Sequence, residues 1–120
     1  MFVWSMNTFR SVFKAPESQV RITHEKPVLL MGSCFSENME ARFADAGFRV
    51  LANPFGIQYN PLPIFTVLSQ AFYGKEVPND WIEDMPGGYI NWMAHHTRTF
   101  NVKEEIFGYF NQMLRTLSSL

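Results

Sequence analysis

The stretch between residues 27 and 52 limits the fold more than any other part of this chain. An unbroken apolar run, Val28-Leu29-Leu30-Met31, stops at Gly32-Ser33-Cys34, and a helix-like pattern follows at once. Phe35, Met39, Phe43 and Ala46 recur at helical spacing, with Ser36 as the expected N-cap and Gly47 placed to end the helix. A second apolar run, Phe48 to Ala52, comes next. Strand, helix and strand in so short a space make a βαβ unit, which requires a parallel pair joined by a right-handed crossover. The fold class is therefore α/β. The unbroken apolar character of Val28 to Met31 suits a central strand buried on both faces.

The rest of the chain fits around that unit. Residues 1–26 read as a leader with little periodicity, containing a short strand near Gln19 to Thr23, and 27–120 as the domain proper. After an Asn-Pro-rich loop, Leu62 to Phe72 reads as a helix with Ile64, Val67, Leu68 and Ala71 as its apolar stripe and Gly74 as its stop. The Pro86-Gly87-Gly88 sequence predicts a β-hairpin within 81–100. A last helix is expected after Asn101, with Glu104 as a capping-box partner. Its buried face would be Ile106, Phe107, Phe110, Met113, Leu114 and Leu117.

Composition narrows the class of function. The 120 residues are 47% hydrophobic and 18% charged, which argues against disorder and for one domain. A formal charge of −1 provides no general attraction to nucleic acid or to an anionic membrane. One cysteine cannot form an internal disulfide, and no Cys/His cluster has zinc spacing, so neither a metal nor another cofactor is expected. No spanning segment or signal peptide is evident, which makes the cytoplasm the default location. Aromatic residues make up 16% of the chain, a large apolar load for its length.

The chemistry is concentrated at the strand-to-helix turn. A glycine permits a sharp turn, and Ser33 and Cys34 then lie beside a helix N-terminus whose N–H groups favour negative charge. Such a site supports a nucleophilic thiolate or holds a developing oxyanion. Against this stand plainer roles: Cys34 as a small buried hydrophobe, Ser33 as a helix cap. His95 and His96 are adjacent, so in a strand they face opposite sides and cannot chelate one metal together. Either one could line a pocket as a proton carrier, and hydrogen bonding around the hairpin is the plainer role. Glu83-Asp84 and Glu104-Glu105 read as solvated or helix-start charges, and Trp81, Trp92 and Phe100 as core.

Gly32-Ser33-Cys34-Phe35 together with Asn53-Pro54-Phe55-Gly56…Tyr59-Asn60-Pro61 resembles the GSCFA domain family, a branch of the SGNH/GDSL hydrolase superfamily. Trp92…His95-His96…Phe100 resembles that family's pattern as well. The resemblance runs from about residue 6 to 117. Because family members are typically much longer, it implies the N-terminal portion of a three-layer SGNH-type domain, a parallel sheet flanked by helices. In the superfamily the first block reads Gly-Asp-Ser with the third residue as nucleophile. Cys34 falls at that place and Ser33 at the aspartate's, and Ser33 as nucleophile in a slipped register stays open. Gly56 matches the second-block glycine whose N–H helps build the oxyanion hole. Gly32 and Asn53 would line the same pocket, although Asn53 and Asn60, each before a proline, are expected to be extended loop formers.

The resemblance implies a hydrolase or acyltransferase acting on small-molecule or carbohydrate esters. The general base of the superfamily sits in an Asp-x-x-His block, and no Asp is followed by His at that spacing here. The chain is accordingly expected to be a truncated piece, inactive alone and prone to self-association. A non-catalytic binding or interaction fragment is the alternative reading.

Overall fold

The computed structural model describes residues 11–94 and 98–120. The β-strand β1 (Val28–Leu30), helix α1 (Cys34–Asp45) and strand β2 (Val50–Ala52) form the expected unit. The two strands pair in parallel, Val28 with Val50, Leu29 with Leu51 and Leu30 with Ala52. Helix α2 (Pro61–Phe72) follows, then a single 3₁₀ turn, Asn79–Trp81. The antiparallel hairpin of β3 (Ile82–Met85) and β4 (Gly88–Asn91) precedes the closing helix α3 (Lys103–Ser118). The architecture is α/β. No helix among the described residues is long and apolar enough to cross a membrane.

Both strands are shorter than their apolar runs. Met31 leads directly into the Gly32 turn and lies outside the paired register, packing against the core. Phe48 is held by the end of α1: its N–H donates to Phe43 O, and the Gly47 N–H donates to Ala44 O. Those paired bonds form a Schellman closure, which satisfies the last carbonyls of the helix. The Phe48 ring also stacks on His24 at 3.9 Å, and the His24 imidazole bonds Ala46 O. The leader is thereby tied to the end of α1, but residues 19–23 are exposed and form no strand. With no strand to pair beside them among the described residues, the expected β-strand there does not form.

Helix α1 begins earlier than its apolar spacing predicts. Ser33, not Ser36, is the N-cap, its hydroxyl accepting from the Phe35 N–H at 3.3 Å. The Ser36 N–H meanwhile donates to Ser33 O. None of the α1 residues is buried, and Phe35 is 67% exposed. A sheet of two short strands is too narrow to cover the stripe of a twelve-residue helix. Strand β1 is half-buried for the same reason, rather than enclosed on both faces.

The closed core takes in no residue of α1, and Leu29, Met31 and Leu51 pack against it. Phe55, Val67, Ala71, Val77, Trp81, and Phe100 pack with the α3 stripe, Ile106, Phe110, Leu114 and Leu117. Full burial of one such side chain contributes about 1.5–3 kcal/mol, so α3 is the principal anchor of this core. Phe107 and Met113 flank the stripe half-buried. The expected capping box is absent: Val102 precedes the helix with no side-chain cap. Trp92 is not core. It is 47% exposed, and its indole N–H donates to Glu83 Oε2 at 2.6 Å.

The hairpin turn is Pro86-Gly87, and the next residue is the sterically decisive one. Gly88 has a φ of +120°, and Tyr89 exchanges two backbone bonds with Phe100 beside it. A Cβ on Gly88 would stand 2.7 Å from Phe100 O, whereas one on Gly87 would meet nothing within 4 Å. Gly88→Ala is therefore expected to cost at least about 2 kcal/mol, from overlap and backbone strain together. Gly87→Ala should stay within about 0.5 kcal/mol of the parent. Denaturant melts of the two variants check the contrast.

Candidate functional site

Parallel pairing brings the two carboxyl ends of β1 and β2 to one edge of the sheet. The Gly32–Cys34 turn leaves β1 there, and the Asn53–Gly56 loop leaves β2 beside it. Crevices of open α/β sheets lie at this edge, as the βαβ reading predicts. The strand ladder ends where the Asn53 N–H donates to Leu30 O at 2.8 Å.

Beyond that bond a side chain takes over from the backbone. Asn53 Oδ1 accepts from the Gly32 N–H at 2.8 Å, and Asn53 Nδ2 donates to Ser33 O at 3.3 Å. One carboxamide thus holds both ends of the turn that carries Ser33 and Cys34. Asn53 is 8% exposed and has a φ of +44°, so it is not the extended loop former expected before a proline. Asparagine is among the non-glycine residues that best tolerate the left-handed region, and the two side-chain bonds offset the strain. Asn60 does keep the extended conformation, and its side chain caps α2 by accepting from the Leu62 N–H.

The candidate residues divide by what their polar groups already do. The Ser33 hydroxyl caps α1 and its carbonyl accepts from Asn53 and Ser36. The Gly56 N–H donates to Asn53 O at 2.8 Å, closing a turn, so an oxyanion role for it requires that bond to open. The Gly32 N–H is likewise committed to Asn53. Cys34 is the first residue of α1 and is a free, exposed cysteine. Its own N–H lies in the first helical turn, where no carbonyl one turn back can accept it. His95 and His96 lie outside the described residues.

Gln58 belongs to the same construction and was not singled out by sequence pattern. Its backbone N–H donates to Gly32 O at 2.8 Å, and its Nε2 donates to Met93 O at 2.6 Å. It therefore links the turn after β1 to the segment after the hairpin. Gln58 is 9% exposed, and its Oε1 has no partner among the described residues. The only sequence hint was a long polar side chain directly after the apolar Phe55-Gly56-Ile57 stretch.

A hollow of about 170 Å³ opens against the second loop, lined by Asn53, Gly56, Ala94, Arg98, Tyr109 and Phe110, among others. A larger one, about 230 Å³, lies at the opposite end of the strands beside Pro27 and Arg49. It gathers no reactive groups, and Arg49 already donates to Glu25 O. No group of three His, Cys, Asp or Glu side chains able to hold a metal occurs among the described residues.

The family model of the GSCFA family matches residues 27–120, more than three quarters of the chain. The chain belongs to the GSCFA family. No curated protein and no solved structure matches it. The GSCFA match takes in every helix and strand from β1 to α3. Both loops of the sheet edge and the hollow beside them therefore lie within it.

If Asn53 holds this edge together, Asn53→Ala should lose about 2–4 kcal/mol of stability, from unsatisfied buried groups and a disfavoured φ. Asn53→Gly relieves the backbone but not the missing bonds, and should fall between parent and alanine variant. Equilibrium unfolding of the three proteins gives the order.

Proposed function

We propose that this GSCFA chain carries the nucleophile side of an SGNH-type site for acyl transfer, hydrolysing esters or passing the acyl group to another acceptor. The observation that carries the reading is the Asn53 carboxamide fixing the Gly32–Cys34 turn beside the Asn53–Gly56 loop at one sheet edge. A strand-to-helix turn at that edge, with an exposed thiol on the first helical residue, presents a nucleophile in the way such chemistry needs.

In the proposed step the Cys34 thiolate attacks the carbonyl carbon of an ester. A C–S bond forms, the C–O bond to the alcohol breaks, and the departing alkoxide takes up a proton. Water or an acceptor alcohol then attacks the thioester and frees Cys34. Ser33 holds the helix start that positions the thiol. Proton delivery needs an acid–base partner, and the Asp-x-x-His spacing that supplies it in the superfamily does not occur in these residues. General acid–base help is typically worth ~10²–10⁴ in rate, so acylation without turnover is the behaviour to expect of this chain alone. The reading places this chemistry in the cytoplasm, where a lone free thiol stays reduced.

A second reading, a binding or interaction module, draws on the aromatic surface. Tyr59, Phe65, Phe72 and Tyr73 are all more than two thirds exposed, and α1 buries nothing. Such surface promotes association whether or not the turn is reactive.

The acyl-transfer reading predicts that an activated acetate ester deposits one acetyl group on Cys34, faster than on an unstructured cysteine peptide. Peptide mass mapping locates it. Cys34→Ala should abolish the adduct, and Ser33→Ala should leave it detectable. Acetylation no faster than that of the peptide, or labelling lost only in Ser33→Ala, would contradict the assignment of Cys34.

A further inference from the structure

The hollow beside the Asn53–Gly56 loop has one charged wall. Arg98 lines it, with its guanidinium carbon 4.5 Å from the Tyr109 ring centroid and 5.1 Å from that of Phe100. The two rings are themselves in contact, 5.5 Å between centroids and tilted by 44°. Phe100 is buried in the core and Tyr109 is half-buried on α3, so the platform is part of the fold's fixed framework. A guanidinium laid on ring faces has its position set by cation–π attraction while its N–H edge stays open.

That edge has nothing to bind among the described residues. No carboxylate forms an ion pair with Arg98, and none of its N–H groups has a hydrogen-bond partner there. Guanidinium offers five donors in a planar fork that matches a carboxylate or a phosphate in a bidentate manner. Arg98 is exposed, so this fork is open to solvent and accessible to an anion.

The placement relates this cation to the turn. Asn53 and Gly56 form another part of the same hollow, and the Asn53 side chain reaches the Ser33 carbonyl at 3.3 Å. Arg98 and the Asn53–Gly56 loop thus share one hollow, and Asn53 bonds the Gly32–Cys34 turn directly. We propose that Arg98, held on the Tyr109–Phe100 platform, binds an oxyanion group, carboxylate or phosphate, carried by the molecule that the sheet-edge site acts on. The inference rests on the acyl-transfer reading for the word substrate. The anion site itself requires no turnover.

The test is an NMR titration of the 120-residue chain with inorganic phosphate in one arm and acetate in the other. Saturable shifts of the Arg98 Nε–H and the Tyr109 ring are expected with at least one anion. Arg98→Gln should weaken that binding on the order of tenfold or more, as loss of hydrogen bonds to a charged group does. Arg98→Lys keeps the charge without the fork and should bind severalfold less tightly, which covers the case in which Arg98→Gln fails to fold. Tighter binding of phosphate assigns a phosphorylated ligand, and tighter binding of acetate a carboxylated one. Cys34→Ala should bind as the parent does. Loss of Cys34 acylation with anion binding intact would therefore count against the acyl-transfer reading and not against this site. No saturation by either anion, or binding that survives Arg98→Gln as an adventitious ion only, would overturn the proposal.

Discussion

Neighbouring parallel strands deliver their loops to the same edge, but the ladder that aligns them stops at the last paired residue. Here it stops at the bond from Asn53 N–H to Leu30 O, and the Asn53 carboxamide continues it by accepting from Gly32 and donating to Ser33. A neutral amide suits this task because it supplies one donor and one acceptor in fixed geometry without burying a charge. Gln58 adds a second tie, from Gly32 O across to Met93 O. Everything distinctive at the edge depends on these two amides: the course of the Gly32–Cys34 turn, the start of α1 and the wall of the adjoining hollow.

The edge also shows a division of labour. Polar groups that would otherwise be candidates for chemistry are already used to build it. The Ser33 hydroxyl caps a helix, and the N–H groups of Gly32 and Gly56 are bonded to Asn53. What is left at the surface is the Cys34 thiol. The cysteine of the turn is thus exposed and free, whereas the serine before it is spent on the helix cap. Along α1, Phe35 at the edge is exposed while Met39 and Phe43 further on are half-buried, so the apolar surface nearest Cys34 is the one open to solvent.

Much of the fold was legible because periodicity reports burial. The parallel pair, the hairpin turn, the stripe of α3 and the stops of α1 and α2 all follow from spacing and from turn residues. The failures occur where a local rule was overridden by a specific partner. Ser36 fitted the apolar spacing as a cap, yet Ser33 took the position because the turn after β1 already presents its hydroxyl to the Phe35 N–H. Asn53 precedes a proline and reads as extended, yet its bonds to Gly32 and Ser33 hold it at positive φ. Trp92 looked like core and instead stands half in solvent, its indole bonded to Glu83. At the candidate site the sequence identified the loops but not Gln58 or Arg98. Their roles depend on Met93 and Tyr109, contacts far away in sequence that no local pattern encodes.

The central claim is that side-chain amides, not the strand ladder, hold the turn that carries Cys34. Native-state hydrogen exchange at the Gly32 amide tests it most directly, because among the described residues that N–H is bonded to the Asn53 side chain and not to a strand carbonyl. The account predicts that Gly32 is protected as strongly as the ladder amides Val28 and Leu30, and that Asn53→Ala removes this protection at Gly32 while the ladder amides keep most of theirs. Rapid exchange at Gly32 in the parent protein, with Val28 and Leu30 protected, would contradict it.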